Sequence, residues 1–253
     1  MTVRTRPAAL IPITGPDRAV LDVVAFPCAG SSPGQFQGWR TLVPADWRLT
    51  AVCLPGRGPR TGEPFAKRLT EAADEAAAAI TAALVPGRPL LLVGHSLGGL
   101  IAFETARRVR PAALAAFACP PPHRLPDLPP GDVDWAAAIA PPGGGQLPPG
   151  LADELIELYR PVYEADMEML DDYVWDRGRA ECDIWALYSE ADSIPVVPWA
   201  EQTTARAEAA ALPGDHYLAR DDPGRAVREL VGRVAARADE WTRTTEGGQA
   251  CTR

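Results

Sequence analysis

One stretch limits what this chain can fold into: Leu90-Leu91-Leu92-Val93-Gly94-His95-Ser96-Leu97-Gly98-Gly99-Leu100. An apolar run of strand length enters a Gly-x-Ser-x-Gly turn, and a helical spacing of Leu100, Ile101, Phe103 and Ala106 leaves it. A serine at the tip of so sharp a turn adopts a backbone that only small neighbours permit, so Gly94 and Gly98 stand two positions to either side. The helix that starts there turns unpaired N–H groups and its positive dipole end toward any charge developing beside the serine. The expectation is a strand, an elbow presenting Ser96 as a nucleophile, and a helix whose first amide, Leu97, is an oxyanion donor.

The same alternation recurs along the chain. Residues 20–26, 49–54, 90–93, 113–118, 184–188 and 207–212 read as strands. Residues 70–85, capped by Thr70, the segment from the elbow to Arg107-Arg108-Val109-Arg110, residues 199–206 and residues 223–241 read as helices. Strand, helix, strand in succession predicts an α/β fold, a mostly parallel central sheet flanked by helices on both faces. After Cys119 the texture changes. Prolines crowd around residues 120–150, and helical patterns follow at 133–140 and 151–175, the second with Leu151, Leu155, Ile156, Leu158, Tyr159 and Val162 on a broad apolar face. Residues 120–176 are therefore expected to form an inserted helical lid over Ser96, with the core built from 1–119 and 177–241. The polar, aperiodic residues 242–253 are expected to be a disordered tail.

At 253 residues, 47% of them hydrophobic, the chain can bury one large core, while a net charge of −8 argues against nucleic acid and anionic membrane as partners. No export signal and no run of membrane-spanning length is legible. Five cysteines lack paired zinc spacing and are an odd number for a disulfide framework, so a reduced, cytoplasmic setting is expected.

A serine hydroxyl needs a base, and only His95, His123 and His216 are available. His95 lies inside the elbow and flanks Ser96 without facing it. His123 opens the proline-rich segment. His216 follows the last strand on a loop, where an elbow enzyme carries its base. The chain order serine, acid, histidine selects Asp192 as the carboxylate, with Glu190 its nearest rival and Asp183 and Asp215 worse placed. The small-residue loop Phe26-Pro27-Cys28-Ala29-Gly30-Ser31 after the first apolar strand suits close approach of substrate to main chain, and Ala29 is the candidate second oxyanion amide. The loop Pro55-Gly56-Arg57-Gly58-Pro59-Arg60 offers two arginines to an anionic group.

Taken together, Phe26-Pro27-x-Ala29-Gly30-Ser31, Trp39, Leu54-Pro55-Gly56-Arg57-Gly58-x-Arg60, Glu63-Pro64, Gly94-His95-Ser96-Leu97-Gly98-Gly99, Tyr163-Glu164-Ala165-Asp166 and Gly214-x-His216 resemble the type II thioesterases, the stand-alone editing enzymes of polyketide synthases and nonribosomal peptide synthetases. The similarity runs from about Val20 to Trp241. It implies an α/β-hydrolase fold and hydrolysis of acyl groups from the phosphopantetheine arm of acyl or peptidyl carrier proteins, for editing or release. It implies Ser96, Asp192 and His216 as the triad and the amides of Ala29 and Leu97 as the oxyanion hole. No metal or bound cofactor is implied, and a monomer is expected. Carrier proteins are acidic, so Arg57 and Arg60 are expected in a basic patch. Many relatives have Arg-Ala-Asp where this chain has Glu164-Ala165-Asp166, which predicts that a charge pairing is lost or reversed there. Two other readings fit the same residues: a release enzyme that cyclises or transfers the acyl group, and a non-catalytic carrier-binding module.

Overall fold

The computed structural model describes residues 9–83, 85–127, 134–141, 147–148, 150–192 and 199–247. Among the described residues seven strands form one sheet: β1 (Leu10–Pro12), β2 (Leu21–Phe26), β3 (Trp47–Val52), β4 (Leu90–His95), β5 (Ala113–Phe117), β6 (Asp183–Tyr188) and β7 (Ala207–Ala211). Their order across the sheet is β1-β3-β2-β4-β5-β6-β7, and every neighbouring pair is parallel except β1 with β3. The central strands β2, β4 and β5 are buried at every position, which is why they read as apolar runs without alternation. Asp22 interrupts β2 because Arg48 and Arg88 meet its carboxylate at the strand's start, at 2.7 and 3.1 Å.

Apolar layers cover both faces. On one, α1 (Leu69–Ala83) and α2 (Leu97–Val109) bury Ile80, Leu100 and Phe103 against Val24, Leu92 and Ile184. On the other, a 3-10 helix over Pro33–Trp39 and the long α6 (Pro223–Gly247) bury Phe36, Trp39, Val227 and Leu230 against Leu91, Val93 and Trp185. Between β5 and β6 lie the short α3 (Trp135–Ile139) and α4 (Leu151–Asp171), and between β7 and α6 lies α5 (Leu218–Asp221). The C-terminal end of α4 and the residues after it are tied to the layer on α2: Met169 is buried in the α1–α2 layer, and the Tyr173 hydroxyl donates to Glu104 of α2 at 2.7 Å.

Several boundaries depart from the sequence reading. α1 begins at Leu69, so Thr70 lies inside the helix, and the Arg68 carbonyl accepts from Ala72. α4 ends at Asp171, short of residue 175. Residues 199–206 contain only a 3-10 turn, Trp199–Gln202, after which Thr203 bridges to Ala180 and spends its hydroxyl on the Cys182 carbonyl. The backbone of α6 continues to Gly247, beyond Trp241, while residues 248–253 of the expected tail lie outside the described residues. Among the described residues no helix is long and apolar enough to cross a membrane.

The elbow is a contact between backbones. A Cβ on Gly98 would sit 2.3 Å from the Phe26 carbonyl oxygen and 2.4 Å from that of Pro27; one on Gly94 would sit 2.4 Å from the Gly98 carbonyl. Neither neighbour is a flexible side chain. Gly98→Ala is therefore expected to lower unfolding free energy in urea by about 3 kcal/mol or more. Gly232→Ala, in the interior of α6 with nothing within 4 Å, is expected to raise it by about 0.5–1 kcal/mol.

Candidate active site

Ser96 stands between β4 and α2 with φ 54° and ψ −123°, a conformation that costs a non-glycine residue about 1–3 kcal/mol. It is held there by its own backbone. The Ser96 N–H donates to the Phe117 carbonyl of β5 at 2.9 Å, and its carbonyl accepts from Gly99 at 2.8 Å. Because Gly98 has no side chain, the first turn of α2 seats against the main chain of Phe26 and Pro27, where the loop carrying Ala29 begins. Leu97 opens the helix, where amide N–H groups have no intrahelical acceptor.

The structure brings together the three side chains that the sequence separates. His216 Nε2 lies 3.0 Å from Ser96 Oγ, and His216 Nδ1 lies 2.8 Å from Asp192 Oδ2. The Asp192 side chain is 4% exposed and that of His216 26%, so the carboxylate is sheltered while the imidazole is reachable. The loops that deliver them are joined: the Ser189 hydroxyl, after β6, donates to the Gly214 carbonyl, after β7, and also accepts from the Ala191 N–H at 3.1 Å. The rival acids are elsewhere. Glu190 is exposed, Asp215 accepts from the Tyr217 amide at 2.8 Å, and Asp183 pairs with Arg237. His123 is occupied by Gln202 at 2.8 Å. Cys28 is buried, and burial pushes its thiol up, away from the thiolate that would compete with Ser96.

His95 is fully buried. Its Nε2 lies 2.7 Å from the His216 carbonyl and its Nδ1 2.8 Å from Gln35 Nε2. Burial, first, and the neighbouring His216, second, lower its pKa to about 3. Gln35 had no signal in the sequence, since a glutamine in a surface-like turn after Pro33 marks nothing.

Arg57 and Arg60 are not surface cations. Arg57 is 7% exposed and makes a bidentate pair with Asp166 of α4 at 2.6 and 2.7 Å; Arg60 is 1% exposed and is held by Glu63 and Glu75 at 2.6 and 2.7 Å. The expected basic patch therefore does not contain them. The same Asp166 carboxylate accepts from the Gly30 N–H at 2.8 Å, and Arg57 donates to the Ser31 carbonyl at 3.1 Å. The α4 helix thus clamps the loop that carries Ala29. The departure at Glu164 falls on an exposed position, beside but outside the Arg57–Asp166 pair. A cavity of about 380 Å³ opens beside the loop, lined by Ala29, Gln35, Trp135, Leu155, Tyr163 and Tyr217 among others. A larger hollow, about 820 Å³, lies at the opposite end of the sheet, by Leu90, Ala112 and Cys182, and touches none of this machinery.

Two measurements follow from these burials. Asp166→Asn leaves the Arg57 guanidinium buried without its counter-charge and is expected to cost about 3–5 kcal/mol in urea unfolding. The apolar pair Arg57→Met with Asp166→Leu is expected to cost less than the single change. For His95, both states are neutral well above pH 6.5, so stability does not vary with pH through this group there; below 6.5 the unfolded chain takes a proton that the folded chain refuses until about pH 3. Stability from this group falls by about 1.4 kcal/mol per pH unit in that window. The stability gap between wild type and His95→Gln is expected to narrow by about 2 kcal/mol from pH 7 to pH 5.

Residues 22–235 match the family described as the thioesterase domain. The medium-chain S-acyl fatty acid synthase thioesterase of Rattus norvegicus is 26% identical over 232 residues, 85% of this chain and 88% of that protein. The AMB antimetabolite synthetase AmbE of Pseudomonas aeruginosa is 42% identical over 91 residues, which is 35% of this chain and only 4% of that protein. Among solved structures, RedJ, a thioesterase from the prodiginine biosynthetic pathway in Streptomyces coelicolor, superimposes with a TM-score of 0.68 at 25% identity, covering 86% of this chain and 87% of that one. With the match running from β2 into α6, the chain belongs to the thioesterase family, hydrolases that act on thioesters.

Proposed function

We propose that this protein is a type II thioesterase that hydrolyses acyl groups from the phosphopantetheine arm of carrier proteins in polyketide or nonribosomal peptide assembly. The observation that carries the reading is the pair of hydrogen bonds His216 makes, to Ser96 on one nitrogen and Asp192 on the other. In the proposed reaction His216 Nε2 takes the hydroxyl proton as Ser96 Oγ attacks the thioester carbonyl. The Nδ1–H bond to Asp192 fixes the tautomer and stabilises the imidazolium. The oxyanion meets the amides of Leu97 and Ala29. When the carbon–sulfur bond breaks, the imidazolium returns the proton to the departing pantetheine thiol; water then enters, loses a proton to His216, and frees the acid from the acyl-serine.

The surroundings fit such a substrate. The cavity beside Ala29 is walled by Trp135, Tyr163, Tyr217 and Leu155, apolar surface suited to an acyl chain. The two relatives matched over most of their length are named as thioesterases of fatty acid synthesis and of a biosynthetic pathway, which supports a carrier-bound substrate. The four cysteines among the described residues are buried and free, which supports a reducing, cytoplasmic setting.

The test is incubation with a panel of acyl-phosphopantetheinyl carrier proteins followed by intact-mass measurement. Wild type is expected to return the free-thiol carrier and the free acid. Ser96→Ala is expected to abolish turnover, and Asp192→Asn to lower kcat on the order of 10³–10⁴-fold. Deacylation at an equal rate by Ser96→Ala would sink the reading.

A further inference from the structure

Four polar groups run in series from the Ala29 loop to the base loop, and no side chain of the proposed triad is among them. The Cys28 N–H, next to Ala29, lies 3.0 Å from Gln35 Oε1; Gln35 Nε2 lies 2.8 Å from His95 Nδ1; His95 Nε2 lies 2.7 Å from the His216 carbonyl. The two ends have fixed roles, since a backbone N–H only donates and a carbonyl only accepts. Donation from Cys28 turns the oxygen of Gln35 toward that loop, which turns its NH₂ toward the imidazole. Nδ1 of His95 must then be an acceptor, so the single ring proton sits on Nε2 and is donated to His216. Every link agrees in direction, and each proton has one position.

We propose that Gln35 and His95 form a positioning relay that sets the His216 backbone and the oxyanion loop in register, by holding His95 as the neutral Nε2–H tautomer. The proposal rests on the reading of His216 as the base. Neither Gln35 nor His95 touches the reacting atoms; they act through the main chain on either side of them. A second tie reinforces the same pair of elements: Trp39, at the other end of the 3-10 helix that carries Gln35, donates its indole N–H to the Ala219 carbonyl of α5 at 2.9 Å. The titratable and charged groups facing His95 are His216 and Asp192 from the two site loops, Tyr217 beside them and Arg220 from α5. Against His216 and Arg220, in a fully buried position, a protonated ring is disfavoured. It would also point a second N–H at the NH₂ of Gln35.

Gln35→Glu separates this role from simple packing. A carboxylate still accepts from Cys28, but it can only accept from His95. At neutral pH the ring must then either put its proton on Nδ1, leaving a lone pair against the His216 carbonyl, or become a cation. Acid restores the donation to His216 by charging the ring beside the introduced carboxylate. With the acetyl thioester of N-acetylcysteamine as probe, Gln35→Glu is expected to lower kcat about tenfold to a hundredfold at pH 8 with KM within about twofold. The ratio of wild-type to variant kcat is expected to shrink toward pH 6. Gln35→Leu is expected to lose kcat with a ratio that does not change with pH. Independently of any variant, ¹⁵N-histidine NMR of the wild-type protein is expected to show His95 as an Nε2–H imidazole that does not titrate between pH 5 and 8. An Nδ1–H tautomer, titration of His95 in that range, or a Gln35→Glu to wild-type ratio that is flat with pH would overturn the relay. Retained turnover by Ser96→Ala would instead overturn the catalytic reading, and leaves the NMR result standing or falling on its own.

Discussion

The absence of a side chain at Gly98 is the constraint on which the rest of the site depends. It lets the first turn of α2 close to within about 2.3 Å, as counted from a would-be Cβ, of the carbonyl oxygens of Phe26 and Pro27. Parallel pairing already sets Phe26 beside Gly94, and the approach at Gly98 seats the start of α2 on the main chain that leaves β2. The left-handed backbone at Ser96 is the strained part of this arrangement. The hydrogen bond from its N–H to β5 and the bond from Gly99 to its carbonyl hold it in place.

Two imidazoles lie near each other in opposite surroundings. His216 is reachable, carries a carboxylate on one nitrogen and meets the hydroxyl on the other. His95 is sealed, with a glutamine amide on one nitrogen and a carbonyl on the other. Environment alone separates them: one ring has a carboxylate partner and solvent access, whereas burial among neutral dipoles disfavours a charge on the other.

The inserted helices join the same network. Asp166 of α4 neutralises the buried Arg57 and accepts from Gly30, so the loop beside the serine is shaped by a residue far along the chain. Met169 and Tyr173 then fasten the end of the insertion to α2 and its layer. The apolar cavity between α3, α4 and the Ala29 loop is consequently built from segments far apart in the chain.

Sequence alone determined the elbow, the alternation of strand and helix, and the order serine, acid, histidine, because each rests on local chemistry: glycines where a side chain would collide, apolar runs where a strand is buried on both faces, a histidine on the loop after the last strand. Boundaries were less legible. Thr70 looked like a cap and lies inside α1, residues 199–206 had helical composition but Thr203 was drawn into a bridge to Ala180, and α6 outran the apolar pattern that defined it. Arg57 and Arg60 looked like surface charges, since Asp166 and Glu75, which bury them together with the nearby Glu63, lie 109 and 15 positions away. The fate of His95 was settled only in three dimensions. Its partners come from a helix 60 residues earlier and a loop 121 residues later, and only their simultaneous approach decides which nitrogen holds the proton.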